Sequence, residues 1–458
     1  MRVVICGAGQ VGYGLAERLA AEQNDVSVID ISPQRVQAVR DTLDVRGIVG
    51  HGSYPDDLAS AGAEGADMLI AVTRSDEVNM VACQVASSLF SVPTKIARIR
   101  SHAYREAHWS DLFATTNLPI DVIIAPEVEV GEMVLRRLQL PGAVDIVRFA
   151  DEKVAVLGVE CLEDCPVVDT PLSQLTELFP DLHAVVVGIF RRGEMMVPHS
   201  EDFMLAGDLV YVVVRQEQVR RALSVFGHEE QEAVRVVIAG GGNIGFYVAQ
   251  ALEDRNSRSR AKVIEPSHER AVMIADQLKR TVILQGSALD RNILREADIE
   301  DTDTLVALTN EDEINLLASV MAKRLGVKRT MALVNDPSFA ALTSGLEIDA
   351  IVNPRAVTIS KVLQHVRRGR IRAVHSIQNG EAEVLEAEAL ETSPLVGRPL
   401  RDLDLPDGIR IGAIYRAGQV VMPAGSVVIQ AHDRVILYAA AERVKAVEQM
   451  FRVSLEFF

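Results

Sequence analysis

The feature of this chain that most constrains its fold is an internal repeat, because the second half follows the same pattern as the first. The glycine motif that starts at Gly7 recurs at Gly240, an offset of 233 residues, and Asp30 recurs as Glu265 at an offset of 235. A fixed period of this kind is typical of a repeated structural unit. We therefore predict a tandem duplication of one fold. Further landmarks repeat at similar offsets: Gly52 with Gly286, Thr73 with Thr309, Asn79 with Asn315, Pro126 with Pro354 and Asp208 with Asp433.

The first part of each half alternates between strand-like and helix-like segments. Short apolar runs rich in β-branched residues are separated by stretches with helical spacing, such as 12–21 and 79–89. This βαβ alternation predicts a parallel sheet covered by helices, as in a Rossmann-type domain. The strand-like runs of the first half are residues 2–6, 25–29, 45–49, 68–72, 95–99 and 121–124.

A further helix-like stretch follows the last of these strands. Val130, Val134 and Leu138 lie on one side of it, and it stops before Pro141. We interpret it as a crossover helix that leads to a smaller α+β lobe, whose strand-like runs are separated by turn signals. The predicted fold class is therefore α/β, a tandem duplication of a Rossmann-type parallel-sheet domain followed by a small α+β domain. The predicted ranges are 1–126 (first Rossmann domain), 127–142 (crossover helix), 143–228 (small lobe), 233–354 (second Rossmann domain), 355–371 (crossover helix) and 372–458 (small lobe), with 229–232 as the linker.

The glycine motif of the first half has the context of a dinucleotide-binding loop. It follows a strand, opens a helix, and precedes an acidic residue, Asp30, at the end of the next strand. Free N–H groups at the start of the helix bind a diphosphate, and the carboxylate accepts hydrogen bonds from a ribose diol. A 2′-phosphate would meet a like charge there, so we expect NAD(H) to be preferred over NADP(H). The predicted loop residues are Gly7, Ala8, Gly9, Gln10 and Val11.

The second half contains the same arrangement. Its glycine motif follows an apolar run, and Glu265 takes the position of Asp30. The alternative is a fold copy that kept its glycines for packing alone. The predicted loop residues are Gly240, Gly241, Gly242, Asn243 and Ile244.

Other segments are expected at the same edge of each sheet, where ligands of such folds bind. In the first half Thr73 and Arg74 could bond a ribose or nicotinamide group, and Arg98 could pair with a phosphate, although a solvated strand-end charge is an equal alternative. His51 lies near the predicted ligand and could instead be an ordinary loop residue. In the second half the matching residues are Thr309 and Asn310, and no arginine recurs where Arg98 would be expected.

Charge and composition exclude several classes of protein. A formal net charge of −17 argues against a nucleic-acid partner, which requires a basic surface. Four scattered cysteines form neither a disulfide framework nor a metal site, so we expect no metal and a reducing, cytoplasmic location. We expect no signal peptide after Met1, and no apolar run reaches the roughly 20 residues that span a bilayer.

Catalytic residues are not evident in the sequence. A dehydrogenase needs an acid or base that faces the nicotinamide, and no such pair repeats in the two halves. We therefore predict a protein that is not an enzyme. Two alternatives stay open: an NAD-dependent oxidoreductase with a duplicated fold, and a nucleotide sensor that serves another transporter.

Several segments resemble a known family. Residues 6–12, 50–53, 66–73 and 79–85 closely resemble the TrkA family, the NAD-binding peripheral regulatory subunits of bacterial Trk potassium-uptake systems. The resemblance covers essentially the whole chain. It implies tandem RCK (regulator of potassium conductance) N and C lobes, binding of NAD(H) with ATP or ADP at one or both sites, and a ring, expected to be a tetramer. It also implies gating of a TrkH- or TrkG-type membrane potassium channel from the inner face of the membrane, with the crossover helices as candidate levers.

Overall fold

A computed structural model describes residues 1–451 of the chain, except 106, 115, 180, 256–257, 337, 340–344 and 367–370. The predicted domain ranges include these exceptions. Residues 367–370 of the predicted second crossover segment and 452–458 of the predicted last lobe therefore lie outside the described residues.

Each half begins with a six-stranded parallel sheet, with an α-helix between each two successive strands from β1 to β5 and from β12 to β16. The strand orders are β3-β2-β1-β4-β5-β6 and β14-β13-β12-β15-β16-β17, so the topology is repeated. The first sheet and its helices are β1 Arg2–Cys6, α1 Gln10–Ala21, β2 Asp25–Asp30, α2 Pro33–Thr42, β3 Arg46–Val49, α3 Pro55–Ser60, β4 Met68–Ala71, α4 Asp76–Phe90, β5 Thr94–Arg98 and β6 Val122–Ile124. The second comprises β12 Arg235–Ala239, α8 Asn243–Arg255, β13 Arg260–Glu265, α9 His268–Gln277, β14 Val282–Gln285, α10 Arg291–Glu296, β15 Thr304–Ala307, α11 Asp312–Arg324, β16 Arg329–Leu333 and β17 Ala350–Val352.

Each parallel sheet is followed by one long helix and a five-stranded antiparallel sheet. The sheet orders β7-β8-β11-β9-β10 and β18-β19-β22-β20-β21 again match. The first set is α5 Pro126–Gln139, β7 Asp145–Phe149, β8 Val154–Glu160, α6 Leu172–Leu178, β9 Ala184–Arg191, β10 Glu194–Met196, β11 Leu209–Arg215 and α7 Val219–Val225. The second is α12 Pro354–Val366, β18 Ile371–Ile377, β19 Ala382–Glu388, β20 Ile409–Arg416, β21 Gln419–Val421, β22 Arg434–Ala440 and α13 Val444–Met450.

The predicted fold class is confirmed: two Rossmann-type parallel-sheet domains, each followed by a small α+β lobe, form a tandem duplication. The central strands of the parallel sheets are buried on both faces, which accounts for their continuous apolar runs. The four cysteines are free and buried, as small apolar side chains usually are.

The two antiparallel sheets pack against each other through an apolar cluster. The ring of Tyr438 lies where a side chain on Gly188 would be, with only 2.8 Å between Cε2 and the Cβ position. Buried Glu386 accepts a hydrogen bond from Ala150 N at 2.8 Å, and Arg434 pairs with Asp151 at 2.7 Å. These contacts join the small lobes of the two halves.

Contacts divide the chain into two units that do not follow the repeat. One consists of Met1–Val130 with Asn353–Val366, and the other of Gly131–Val352 with Arg367–Phe458. The first Rossmann domain is therefore packed against α12, the crossover helix of the second half, through Leu15 and Leu19 against Val362. In the other unit, α5 contacts α8 of the second Rossmann domain.

Paired glycines allow these helices to approach closely. In the first unit a Cβ on Gly14 of α1 would lie 2.5 Å from Ile359 Cδ1 of α12. In the second unit a Cβ on Gly131 of α5 would lie 2.3 Å from the ring of Tyr247 of α8. Positions 14 and 247 match in the repeat, as do 131 and 359.

In the first contact the glycine is on the Rossmann helix and the large residue on the crossover helix, and in the second contact these positions are reversed. The opposite pairing would set Tyr247 against Ile359 and Gly14 against Gly131, a clash and a void. Both overpacking and cavities destabilise a packed interface. These two pairs therefore favour the observed arrangement, in which the crossover helix of each half packs on the Rossmann domain of the other half. We call this the exchange of crossover helices.

We predict that Gly14→Tyr lowers the free energy of unfolding by about 1–3 kcal/mol, because the new ring overlaps Ile359. Adding Ile359→Gly recreates the contact between Tyr247 and Gly131, so the double variant should recover stability beyond the sum of the single variants. A coupling of about 0.5–3 kcal/mol is expected for residues in contact. Urea unfolding of the four proteins of this double-mutant cycle measures it, and strictly additive effects would contradict the assigned role of the pair.

Candidate functional site

The glycine loops at the ends of β1 and β12 have the same backbone. Gly7 and Gly240 adopt φ of +107° and +104°, a conformation that other residues rarely adopt. A Cβ on Gly12 would lie 1.8 Å from the carbonyl oxygen of Gly7, and the value for Gly245 and Gly240 is 1.9 Å. The first and third glycines are thus required by the loop itself, in both halves.

The middle glycine of each loop is not required by its neighbours. Among the described residues, no atom lies within 4 Å of a Cβ placed on Gly9 or on Gly242. Gly9 also has φ −68° and ψ −177°, which alanine adopts freely. The loop therefore leaves open space beside the N-terminus of α1 and of α8, where a pyrophosphate binds in this type of fold.

The carboxylates at the ends of β2 and β13 brace these loops. Asp30 accepts from Ala8 N at 2.7 Å and from Ser32 N at 2.8 Å. Glu265 accepts from Gly241 N at 2.8 Å and from Ser267 N at 2.9 Å. Each carboxylate oxygen retains a lone pair after these bonds, so a ribose diol could still be accepted.

An arginine also reaches each loop, and the sequence analysis did not include it. Arg35 lies 3.7 Å from a carboxylate oxygen of Asp30. Arg270 Nε donates to Gly241 O at 2.7 Å. Both arginines come five residues after the acidic residue, so the repeat spacing was a signal that could have identified them.

A threonine–asparagine pair fixes the neighbouring loop of the first site. Asn79 Oδ1 accepts from Thr73 N at 2.9 Å and from Thr73 Oγ1 at 2.7 Å, and Asn79 Nδ2 donates to Arg98 O at 2.8 Å. The Thr73 hydroxyl is already a donor within the loop, so it can offer a ligand only a lone pair. Asn79 is fully buried and ties the ends of β4 and β5 together.

The second half contains an equivalent pair with the same three hydrogen bonds. Asn315 accepts from Thr309 N at 2.9 Å and from Thr309 Oγ1 at 2.7 Å, and donates to Leu333 O at 2.9 Å. The position of Arg98 is therefore occupied by Leu333, which is buried. The two asparagines were recognised in the sequence as repeat landmarks but not as residues that shape the sites.

Arg98 is half-buried at the edge of the first site. Its Nη2 donates to Thr73 O at 2.6 Å, while Nε is buried without a hydrogen-bond partner among the described residues. Burial lowers the pKa of this guanidinium, and repulsion from Arg100 adds to the effect, against attraction to Glu127 and Asp76. A buried donor without a partner is costly, and an anionic ligand is one group that would satisfy it.

The remaining predicted residues lie at the rims of the two sites. His51 stacks on Tyr54 with 4.4 Å between ring centroids, and its Nδ1 lies 2.9 Å from Ser53 Oγ. Gly52, next to it, packs closely against Cys6 at the end of β1. Exposed side chains at the loops are those of Gln10, Arg74, Asn243 and Asn310, whereas Val11 and Ile244 are half-buried.

The predicted residues of each half thus meet at one edge of a sheet. The loops follow β1, β2, β4 and β5 in the first half and β12, β13, β15 and β16 in the second, on both sides of the point where the strand order reverses. Open space at a helix N-terminus, a buried carboxylate and, in the first site, the buried Nε of Arg98, which has no hydrogen-bond partner among the described residues, fit an adenine dinucleotide. Among the described residues, no cluster of three or more histidine, cysteine or acidic side chains could hold a metal ion.

Two family domain models each match one segment in both halves, and together they cover most of the chain. The TrkA-N domain matches residues 3–126 and 236–354, and the TrkA-C domain matches residues 156–227 and 384–452. The repeat and the order of the modules therefore agree with the two parallel and two antiparallel sheets.

Solved structures share the fold. The RCK domain of GsuK has a TM-score of 0.61 at 17% identity, covering 98% of this chain and 94% of that one. A GsuK channel bound to NAD has a TM-score of 0.61 at 18% identity, covering 98% of this chain and 78% of the channel chain. GsuK bound to ADP has a TM-score of 0.50 at 14% identity, with 80% and 70% covered.

Much closer relatives cover the entire length. A Trk system potassium uptake protein TrkA from Azorhizobium caulinodans is 61% identical over 458 residues and covers 100% of both chains. Proteins of the same name from Halomonas elongata and Vibrio alginolyticus are 42% and 40% identical, covering 100% and 99% of both chains respectively. With both domain types matched in both halves and relatives similar from end to end, this chain belongs to the TrkA family of Trk-system potassium uptake proteins.

Proposed function

We propose that the chain is a nucleotide-binding regulatory subunit that controls a membrane potassium-uptake channel of the Trk type. The observation that carries this proposal is the duplicated glycine loop, with its braced carboxylate and open helix N-terminus, in a chain whose full-length relatives are named for Trk potassium uptake.

NAD(H) is the proposed ligand of the first site. Gly9 and the N-terminus of α1 would hold the pyrophosphate, and Asp30 would accept from the adenine ribose. Arg98 offers a buried donor to a further anionic group. Bound NAD(H) would supply a redox-dependent charge on the nicotinamide ring, so one site could distinguish two states of the same dinucleotide.

The second site is proposed to differ in selectivity. Leu333 occupies the position of Arg98, so the guanidinium at the edge of the first site has no counterpart at this position. Arg270 donates to Gly241 O of the glycine loop and lies over the ring of Phe246, 5.8 Å from its centroid, whereas the matching Arg35 lies near the Asp30 carboxylate. We infer that this site binds an adenine nucleotide, ATP or ADP as well as NAD(H), with less dependence on the nicotinamide half.

No catalytic role is proposed. Asp30 braces the first glycine loop, and Thr73, Asn79 and Arg98 hydrogen-bond to one another at the neighbouring loop. We propose that these residues hold the site together and do not serve as the acid–base pair that hydride transfer to a second substrate requires. A dehydrogenase with a duplicated fold would oxidise bound NADH in the presence of a small carbonyl substrate. Loss of absorbance at the NADH band during such an incubation would overturn this part of the proposal.

The proposed partner is a TrkH- or TrkG-type channel, beneath which the chain forms a ring of four on the inner face of the membrane. None of the described helices is long and apolar enough to cross a membrane. A ligand shifts such a gate only if it binds the two states of the ring unequally. The proposed levers are α5 and α12, because each packs on the helix that a glycine loop opens.

We predict that Gly9→Ala weakens NADH binding at the first site at least tenfold, about 1.4 kcal/mol, because the added methyl occupies the space a pyrophosphate needs. The fold should be unaffected, since no described atom lies within 4 Å of that methyl. Gly242→Ala is the matched variant for the second site. Calorimetric titration should show one event lost in each variant; unchanged titrations in both would remove the basis of the proposal.

We predict that Asp30→Asn reduces discrimination against NADPH, because it removes the charge that repels a 2′-phosphate. The amide keeps one oxygen to accept from Ala8 N and gives up the bond from Ser32 N. Glu265→Gln is the equivalent change in the second half. Both are more selective probes than alanine, which would release Ala8 N or Gly241 N from the carboxylate. The ratio of NADPH to NADH dissociation constants should fall towards one, and an unchanged ratio would show that the carboxylate does not face the ribose.

We predict that Val134→Pro abolishes the potassium response while NADH still binds at the first loop. Val134 is buried in the middle of α5, where proline removes a helical hydrogen bond and costs about 3 kcal/mol or more. Val134→Ala keeps the helix and is the control. Potassium flux through the reconstituted transport system, with and without NADH, is the measurement, and normal gating by the proline variant would contradict the lever role of α5.

A further inference from the structure

An arginine-lined cleft lies at the edge of the second parallel sheet opposite its nucleotide loop. It has a volume of about 540 Å³ and is lined by Val234, Arg235, Arg258, Arg260 and Asp303. Arg235 and Arg260 are the first residues of β12 and β13, whose carboxyl ends hold the glycine loop and Glu265. The cleft is therefore about 13 Å from the loop along β12, at 3.3 Å per residue.

The strand register places two of these arginines side by side. Arg235 pairs with Arg260 in the parallel register of β12 and β13. Like charges at neighbouring positions of a sheet are destabilising unless something neutralises them. At the matching place of the first half, Arg2 is paired with Asp25, so the same backbone there carries opposite charges.

The acidic residue of the cleft is shared among several donors and is not paired with Arg260 in any contact of the described residues. Asp303 already accepts from Lys328 Nζ at 2.7 Å and from the backbone N–H groups of Val234 and Arg235 at 3.1 and 2.9 Å. The Arg235 guanidinium forms two long ion pairs, with Asp303 at 3.7 Å and with Asp301 at 3.9 Å, and neither of these pairs includes Arg260. Three arginines and Lys328 thus stand against two carboxylates, Asp301 and Asp303, so the formal charge around the cleft is positive in a chain whose formal net charge is −17.

The first half again serves as a comparison within the same molecule. Asp67 accepts from Arg2 N at 2.8 Å, as Asp303 does from Arg235 N, so the backbone of the edge is the same. The cations at 258 and 260 are matched by Gln23 and Asp25, and that at 328 by Pro93. The basic character is thus specific to the second half and not a requirement of the fold.

We propose that this arginine cleft binds a phosphate-bearing anion, either a free phosphorylated metabolite or the headgroup of an anionic phospholipid. Guanidinium groups match the geometry of phosphate oxygens and remain charged at any physiological pH. The volume lies in the range of organic ligand sites and exceeds the needs of a single inorganic ion. The cleft is separate from the glycine loops, so the proposal holds whether or not the second loop binds a nucleotide.

The informative variant is Arg260→Asp, which reproduces the Arg2–Asp25 arrangement of the first half. It should retain or raise the ligand-free melting temperature, because an opposite charge then lies beside Arg235. Arg46→Asp is the control: Arg46 is an exposed arginine that begins β3 at the same edge of the first sheet, and its replacement changes the net charge equally.

The experiment titrates the full-length chain with inorganic pyrophosphate and, separately, with vesicles of phosphatidylglycerol or of phosphatidylcholine, with NADH present to occupy the glycine loops. We expect saturable binding of pyrophosphate or of the phosphatidylglycerol vesicles, weakened at least tenfold by Arg260→Asp and less than twofold by Arg46→Asp. Pyrophosphate binding identifies a free anion as ligand, and binding of phosphatidylglycerol alone identifies a headgroup.

Three results would overturn the proposal. They are the absence of binding to both phosphate probes, an equal loss of binding in the two variants, and Arg260-dependent binding of a polyglutamate peptide in place of either phosphate probe. The last would assign the cleft to a carboxylate-rich protein partner.

Discussion

The packing of each crossover helix on the first helix of the opposite half is the interaction on which the rest of the structure depends. It leaves neither Rossmann domain complete without a segment from the other half. The contact lies close to the ligand edge, because α1 begins at the glycine loop and Gly14 meets Ile359 one turn later. In the proposed lever role of α12, a movement of the loop would be passed to this helix through α1, since packed interfaces deform little before they rearrange.

Duplication has preserved the scaffold of the two sites and altered their charges. The positive-φ glycine, the braced carboxylate and the threonine–asparagine pair recur in both halves, with φ angles of +107° and +104° and with closely matching hydrogen-bond lengths. These elements fix the backbone of the loops, so a substitution in any of them would remove a contact that holds a loop in place. Side chains at the two edges of each sheet differ between the halves. At the carboxyl ends of the strands Arg98 is matched by Leu333, and at the amino ends Asp25 is matched by Arg260.

Periodicity and the glycine spacing were sufficient to predict the parallel sheets and the position of both candidate sites. The edge strand β7 was not predicted, because Asp145 and Arg148 interrupt its apolar pattern. The bracing role of Asn79 and Asn315 depends on the distance between two loops, which a sequence does not contain. The exchange of crossover helices could be inferred only by comparing side-chain volumes at two matched pairs of positions, once it was known that these positions touch.

The unequal sites also bear on how a gate could be driven. Moving a two-state equilibrium from 1:99 to 99:1 takes about 5.5 kcal/mol of differential binding. Spread over the eight sites of the proposed ring of four, this is about 0.7 kcal/mol for each site. A hydrogen bond to a charged group contributes about 1.5–3 kcal/mol. One contact between the ligand and Arg98 that exists in only one state of the ring would therefore exceed the differential binding free energy required of its site. The second sites, with Leu333 at that position, would then not need to contribute equally.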